Sequence, residues 1–115
     1  LMNAPRIEKI HTEVAVKDDG VIGFAADPGI ANFGSVPRGN AGERRIILEN
    51  RDDFSKTIRF SAKGEIKDWL FFSENKFVLH GNEVRHVTVG VKVPADAPYG
   101  AYRGEIITHI KIKWL

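Results

Sequence analysis

The sequence predicts an all-β fold, an antiparallel sandwich of about seven to nine strands. Valines occupy alternate positions from Val87 to Val93, which is the period of a strand with one buried and one exposed face. Turn signals rich in glycine, proline, asparagine and aspartate recur about every 8–12 residues, the spacing of short antiparallel strands. Helices are not predicted, because no segment shows an apolar period of about 3.6 residues over roughly ten residues.

In the first half of the chain, turns separate short segments that alternate like strands. Residues 6–16 form the first predicted strand, with positions 10, 12, 14 and 16 on one face. Further strands are predicted at residues 21–24, 30–33, 43–50 and 56–63, with Ile46, Leu48, Ile58, Phe60 and Ala62 pointing inward. Turns are predicted at residues 17–20, 27–29 and 51–53, and a loop with three glycines at residues 34–42. These strands supply the two layers that a sandwich needs.

The second half contains the two longest strand patterns. An aromatic segment at residues 66–72 and a short strand at residues 76–79 come before the valine strand. Pro94 to Gly100 interrupts the pattern, because proline lacks a backbone N–H and Gly100 can adopt positive φ. Alternation resumes at Tyr102 and continues to Trp114. We predict that the two long strands form a hairpin and that residues 106–114 form an edge strand, protected by lysines at positions 111 and 113.

Length and composition predict a single globular domain over residues 6–115, after a cloning remnant or disordered N-terminus at residues 1–5. The net charge is +2 with basic and acidic residues interspersed, so no nucleic-acid partner is predicted. The absence of cysteine excludes disulfides, a thiolate nucleophile and cysteine-bound zinc. No apolar run reaches the ~20 residues of a membrane span, so membrane contact is expected only through segments outside this chain. The lack of glutamine, with abundant charged residues, is typical of thermophiles.

Several short motifs carry a resemblance to a known family. They are Asn32-Phe33-Gly34-Ser35-Val36-Pro37, Leu48-Glu49-Asn50, Trp69 ahead of Phe77-Val78-Leu79-His80-Gly81, Val93-Pro94-Ala95-Asp96-Ala97, and Gly100-x-Tyr102-x-Gly104. Residues 30–107 resemble an immunoglobulin-like accessory domain of bacterial and archaeal cell-surface proteins. They are most similar to NEW3-type domains attached to glycosidases, and also to sandwiches of the major-sperm-protein and Hydin type. The resemblance implies an immunoglobulin-like sandwich in an extracytoplasmic, cell-surface or secreted protein.

The resemblance also implies structural roles for four residues. Trp69 resembles the tryptophan that fills the space between the two sheets. Gly100 and Tyr102 resemble a tyrosine corner, in which the phenol hydroxyl binds a nearby backbone group and holds the crossover in place. Gly104 stands where antibody domains have a cysteine, so no disulfide links the sheets there. The family contributes no catalytic residues.

Histidines and aspartates are the candidates for metal binding. His86 and His109 are expected to be cross-strand neighbours on the exposed face of the predicted hairpin, but zinc needs three or four converging ligands. We therefore interpret them as ordinary solvent-facing residues. The pairs at 18–19 and 52–53, together with Asp27, have carboxylate oxygens suitable for calcium, but their spacing lacks the alternating pattern of a calcium loop. We interpret these aspartates as turn residues and predict no cofactor.

The sequence therefore predicts a structural or adhesive module without enzymatic activity, which binds a protein partner or a second copy through an edge strand. Its candidate interaction residues are Phe71, Phe72, Ile110, Ile112 and Trp114. Consecutive apolar residues at 70–72 cannot all be buried in an alternating strand, and exposed aromatic rings are suited to protein or sugar contacts. The alternative is a carbohydrate-contacting accessory domain of a secreted glycosidase.

Overall fold

A computed structural model describes residues 5–18 and 30–113. The fold is all-β, and the described residues form eight strands and one 3₁₀ turn at Lys67–Trp69. The strands are β1 (Arg6–Val16), β2 (Ile30–Val36), β3 (Ala41–Glu49), β4 (Lys56–Gly64), β5 (Leu70–Phe72), β6 (Lys76–Leu79), β7 (Val84–Lys92) and β8 (Gly100–Ile112). The strand predicted at residues 21–24, the turn at residues 27–29 and Trp114 lie outside the described residues.

The strands form two sheets that pack as a sandwich, which confirms the predicted class. The five-stranded sheet has the order β2-β1-β8-β4-β6, and the three-stranded sheet has the order β3-β7-β5. β1 and β2 pair in parallel, whereas the other paired strands are antiparallel. The described chain therefore has four edge strands, β2 and β6 in the larger sheet and β3 and β5 in the smaller one.

Apolar side chains from alternate positions of both sheets form one core. The valines at 87, 89, 91 and 93 are fully buried, as their period of two predicts. Facing them from the five-stranded sheet are the buried residues Val14, Val16, Ile58, Phe60 and Ile106. Ile46, Leu48 and Ile110 are half-buried and pack against the same cluster. Each fully buried valine or isoleucine stabilises the fold by about 1.5–3 kcal/mol relative to an exposed position.

The predicted hairpin of the two long strands is wrong. β7 lies in the three-stranded sheet, whereas β8 lies in the other sheet, so residues 93–99 cross between the layers. This crossover contains Pro94 and Pro98, which cannot donate a backbone hydrogen bond, and it ends at Gly100, which has φ +145°. Because the strands belong to different sheets, His86 and His109 are not cross-strand neighbours. His86 faces Ile47 of β3, and His109 faces Ile7 of β1 and Arg59 of β4.

The predicted edge position of the last strand is also wrong. β8 is the central strand of the five-stranded sheet and pairs with β1 from Gly100 to Ile110 and with β4 from Gly104 to Ile112. Its backbone groups are therefore engaged on both sides, and Lys111 does not protect an open edge. Alternation shows which face of a strand is buried, but it does not show which strands lie beside it.

Candidate interaction surface

The outer face of the three-stranded sheet exposes three large apolar side chains. Ile47 on β3 is 63% exposed, Val84 on β7 is 53% exposed, and Phe71 on β5 is 40% exposed. Ile47 faces His86 across the strand pair, and Val84 lies two residues before His86 on the same face of β7. We call Ile47, Val84 and Phe71 the outer apolar face. Ile47 and Val84 lie near each other, whereas Phe71 lies beside Gly90, farther along β7. Exposed apolar side chains that lie together on a sheet are typical of protein interaction sites.

Phe71 lies directly against the backbone of β7. It pairs with Gly90, and a Cβ atom at Gly90 would overlap the Phe71 ring. The missing side chain therefore lets the ring rest on the strand, which buries Gly90 while Phe71 itself stays partly exposed. A flat aromatic ring held in this way is a rigid contact surface with little side-chain entropy to lose on binding.

The structure separates the other predicted interaction residues from Phe71. Phe72 points into the sandwich, where its ring stacks on Phe60 with centroids 4.9 Å apart and planes within 3°. Ile110 packs against the core, and Ile112 is half-buried opposite Lys56 of β4. Of the five predicted interaction residues, only Phe71 is an exposed side chain in the described part of the chain. Ile110 and Ile112 lie on the same face of β8 as the buried Ile106, which is the face that packs against the core.

The residues assigned structural roles lie together where β7 crosses to β8. The Tyr102 hydroxyl donates to the carbonyl of Pro98 at 2.7 Å, which is the contact expected of a tyrosine corner. The Trp69 ring packs on Tyr102 with centroids 4.9 Å apart, so this half-buried tryptophan covers one end of the core. Gly104 faces inward, where a Cβ would lie 2.8 Å from both the Ile66 side chain and the Lys63 carbonyl.

Histidines and acids do not converge into a metal site within residues 5–18 and 30–113, where no three such side chains cluster. His109 is 3.0 Å from the Ser61 hydroxyl, and His11 is 4.0 Å from Glu105. Open depressions flank His11 and Arg103 on the five-stranded sheet. Asp52 forms a 2.7 Å ion pair with Lys56, and Asp53 accepts a 3.1 Å hydrogen bond from Asn82. Asp19 and Asp27 lie outside the described residues.

Asp18, Arg38 and Tyr99 form a polar cluster at one end of the sandwich. The Tyr99 hydroxyl donates to Asp18 Oδ2, the Arg38 backbone N–H donates to Asp18 Oδ1 at 3.3 Å, and the Arg38 guanidinium lies 3.6 Å from the Tyr99 ring centre. The Tyr99 hydrogen bond is the main cause that lowers the pKa of Asp18, and the same bond raises the pKa of Tyr99. The cluster joins the chain after β1 to the β2–β3 turn and the β7–β8 crossover.

Glu83 lies in the turn between β6 and β7, and its pKa is lowered mainly because the backbone N–H of His80 donates to its carboxylate at 2.7 Å. A carboxylate with a lowered pKa in the folded state stabilises the fold above its unfolded pKa, and this contribution is lost as the pH falls. The reference pKa values are 3.8 for Asp18 and 4.5 for Glu83. We therefore expect the melting temperature to decline as the pH drops below about 4.5.

Circular dichroism melts from neutral pH to about pH 3 check this expectation, with Asp18→Asn and Glu83→Gln as the informative variants. Each variant should melt closer to the parent protein at low pH than at neutral pH, because it removes one contribution that the acid would remove. Asp96→Asn, an exposed aspartate in the crossover, is the control. Equal offsets from the parent at every pH for Asp18→Asn and Glu83→Gln would contradict the assignment.

Ile47 and Val84 are not among the interaction residues that the sequence predicted. The signal for Ile47 was present, because Ile46, Ile47 and Leu48 are consecutive and a strand that buries the first and third must expose the second. Ile107 was also missed, since it lies on the outer side of the central strand β8 and is nevertheless buried. Its flanking strands cover it with Lys9 and Ser61, the residues on either side in the register. Such coverage depends on strand order.

The exposed aromatic residues do not form a row along one strand. Phe54 lies in the turn before β4, Phe71 lies on β5, and Tyr99 lies in the crossover between β7 and β8.

Helices long and apolar enough to cross a membrane are absent from the described residues. Comparison with known proteins adds no relative to this description, because no family model, no curated protein and no solved structure matches the chain.

Proposed function

We propose that the chain is a non-catalytic module of a cell-surface or secreted protein that binds other protein surfaces through its three-stranded sheet. The observation that carries this proposal is the outer apolar face, where Ile47 is exposed on the edge strand β3, Val84 on the neighbouring strand β7 and Phe71 on β5. The resemblance of residues 30–107 to accessory domains of surface proteins supports the extracytoplasmic location. The proposal keeps the predicted role of an edge strand and transfers it from β8 to β3.

Two properties of this surface support binding to protein. Ile47 and Val84 are branched aliphatic side chains, which lose little conformational entropy when they are covered. β3 is an edge strand, and its half from residue 45 to residue 49, which β2 does not cover, can pair with an extended segment of another chain through main-chain hydrogen bonds. A sheet edge provides affinity, while the adjacent apolar side chains provide selectivity.

The test compares the parent protein with a double variant, Ile47→Lys with Val84→Lys. The purified chain is cross-linked alone and with the surface-protein fraction of its source cells. We expect the double variant to give a yield of cross-linked products about tenfold lower than the parent protein, because binding would now bury two charges. Exposed lysines should leave the fold intact, and circular dichroism verifies this.

Ile7→Lys is the matched control, because Ile7 is an equally exposed isoleucine on the outer side of the other sheet. It should cross-link as the parent does. Equal losses in the control and the double variant would show that the outer apolar face has no special role. The absence of any products from the parent protein would overturn the association role altogether.

A further inference from the structure

Within residues 5–18 and 30–113, β3 pairs with another strand on one side only, so its other side is an open edge. The Asn50 N–H donates to the Glu83 carbonyl at 2.9 Å, and the Val93 N–H donates to the Asn40 carbonyl at 2.9 Å, so the even-numbered residues at both ends of β3 bond β7. The β3–β7 register is continuous between these points. Because bonding directions alternate along a strand, the N–H and C=O groups of residues 43, 45, 47 and 49 point to the open edge.

β3 lacks some of the features that discourage edge-to-edge pairing, although four of its nine residues are charged. Its sequence, AGERRIILE, contains neither proline nor lysine, and its pairing with β7 has no bulge. β2 packs beside only the first half of β3, where Arg44 Nε donates to the Asn32 carbonyl at 2.7 Å and Gly42 lies against Phe33 and Val36. Within the described residues, the half from residue 45 to residue 49 is therefore the accessible one.

The side chains that flank this open half have a self-complementary pattern centred on Ile47. Moving outward on the same face, the residues two positions away are Arg45 and Glu49. Glu43 lies four positions before Ile47 on that face, and Arg51 lies four positions after it, just past the end of β3, where it forms a 3.4 Å ion pair with Glu49. The charges are opposite in sign at equal distances from the centre. Around a two-fold axis at Ile47, Arg45 of one copy would face Glu49 of the other, and Glu43 would face Arg51. Opposite charges that face each other across antiparallel strands stabilise the pairing.

We propose that two copies of this chain pair through antiparallel β3 strands, with Ile47 of each copy on the two-fold axis. Facing residues at 45, 47 and 49 exchange about six main-chain hydrogen bonds, and the two three-stranded sheets join into one continuous sheet. The exposed Ile47 side chains of the two copies cover each other. Because the contact is isologous, it closes as a dimer and does not extend into a fibre.

Other antiparallel registers of two β3 strands either place like charges opposite each other or use the part of β3 that β2 covers. A two-fold axis at Arg45 sets the two Arg45 side chains against each other, an axis at Ile46 pairs Glu43 with Glu49, and an axis at Leu48 pairs Arg45 with Arg51. An axis at Arg44 also pairs opposite charges, Glu43 with Arg45. However, it uses the half of β3 that β2 covers, and it leaves Ile47 facing Ala41. Of these axes, only the one at Ile47 pairs opposite charges, places the two Ile47 side chains against each other and uses the accessible half of β3.

The proposal rests on the association role and specifies its partner and register, and a charge-exchange experiment tests it by sedimentation velocity. Arg45→Glu and Glu49→Arg should each weaken dimerisation by about tenfold, because like charges then face each other twice per dimer. The double variant Arg45→Glu with Glu49→Arg should restore the parent affinity, since the two charges have simply exchanged places. Rescue by Glu43→Arg with Arg45→Glu, and none by the first pair, would overturn this register in favour of the Arg44 axis.

A cysteine variant provides an independent test, because the chain contains no cysteine. Facing residues in a hydrogen-bonded antiparallel pair have Cα atoms about 5.5 Å apart, within the range that a disulfide spans. Ile47→Cys should therefore form a disulfide-linked dimer on mild oxidation, and adding Arg45→Glu should slow this reaction. Ile7→Cys, equally exposed on the other sheet, is the control. Equal rates for the two cysteines would overturn the proposed axis.

The outcomes also separate this inference from the broader association role. A parent protein that stays monomeric at all concentrations, yet gives cross-links with surface proteins that Ile47→Lys with Val84→Lys abolishes, would overturn the dimer and leave the association role standing. A monomer without any cross-linked partner would overturn both.

Discussion

Replacing Asn50 with aspartate is expected to destabilise the fold by about 3 kcal/mol or more, with a melting temperature roughly 10 °C lower. Asn50 is fully buried where β3 ends. Its amide nitrogen lies 2.9 Å from the carbonyl oxygen of Phe54, 3.0 Å from that of His80 and 3.3 Å from that of Leu79. Aspartate would place a second acceptor where these carbonyls require a donor, at a fully buried position.

Urea unfolding of the variant and the parent measures this effect. Asn75→Asp makes the same chemical change at an exposed position in the turn before β6 and should alter stability by less than about 0.5 kcal/mol. Asn50→Ala should fall between the two, since it removes the donor without adding a repulsive oxygen. A loss below about 1 kcal/mol for Asn50→Asp would mean that the two turns hold together without this side chain.

Replacing Phe60 with alanine is expected to cost about 3–5 kcal/mol, a large part of the stability of a typical domain. Phe60 is buried between the sheets, where it stacks on Phe72 and meets Phe77 at a centroid distance of 6.1 Å. Truncation removes both ring contacts and leaves a cavity that flanking β-strands cannot readily close.

The same unfolding measurement checks this prediction against two reference variants. Phe60→Leu retains most of the volume and should cost clearly less than alanine. Phe71→Ala removes an aromatic ring from the outer face, where it is partly exposed, and should also cost less. Similar losses for Phe60→Ala and Phe71→Ala would show that the ring cluster between the sheets is not the main source of stability in this region.

Alternation in the sequence was sufficient to assign most strands and the face that each buries. β1 and β6 have the predicted bounds, and the valines of β7 are buried as expected. The Tyr102 contact with Pro98 was expected from a motif, because a tyrosine corner involves residues only four positions apart. Features set by neighbours along the chain or by a period of two were therefore accessible from the sequence.

The order of the strands was not accessible, and the interaction surface depends on it. A long apolar strand near the end of the sequence has the same alternation at the edge of a sheet as at its centre. Ile110 thus carried no sign that β8 is flanked on both sides. Ile47 carried no sign that β3 is an edge strand, since the register that exposes its backbone is set by residues of β7 far along the chain.

The central position of β8 has a consequence for how the protein folds. Arg6 of β1 pairs with Ile110 of β8, so the strands that come first and last along the described chain meet only after nearly all of it has been synthesised. Until then β1 and β4 have no common neighbour, and their apolar faces remain accessible to other molecules. Contacts between such distant segments give a high contact order, which slows folding to milliseconds or seconds. Nascent chains stalled on the ribosome before β8 should accordingly be more sensitive to protease than the completed domain.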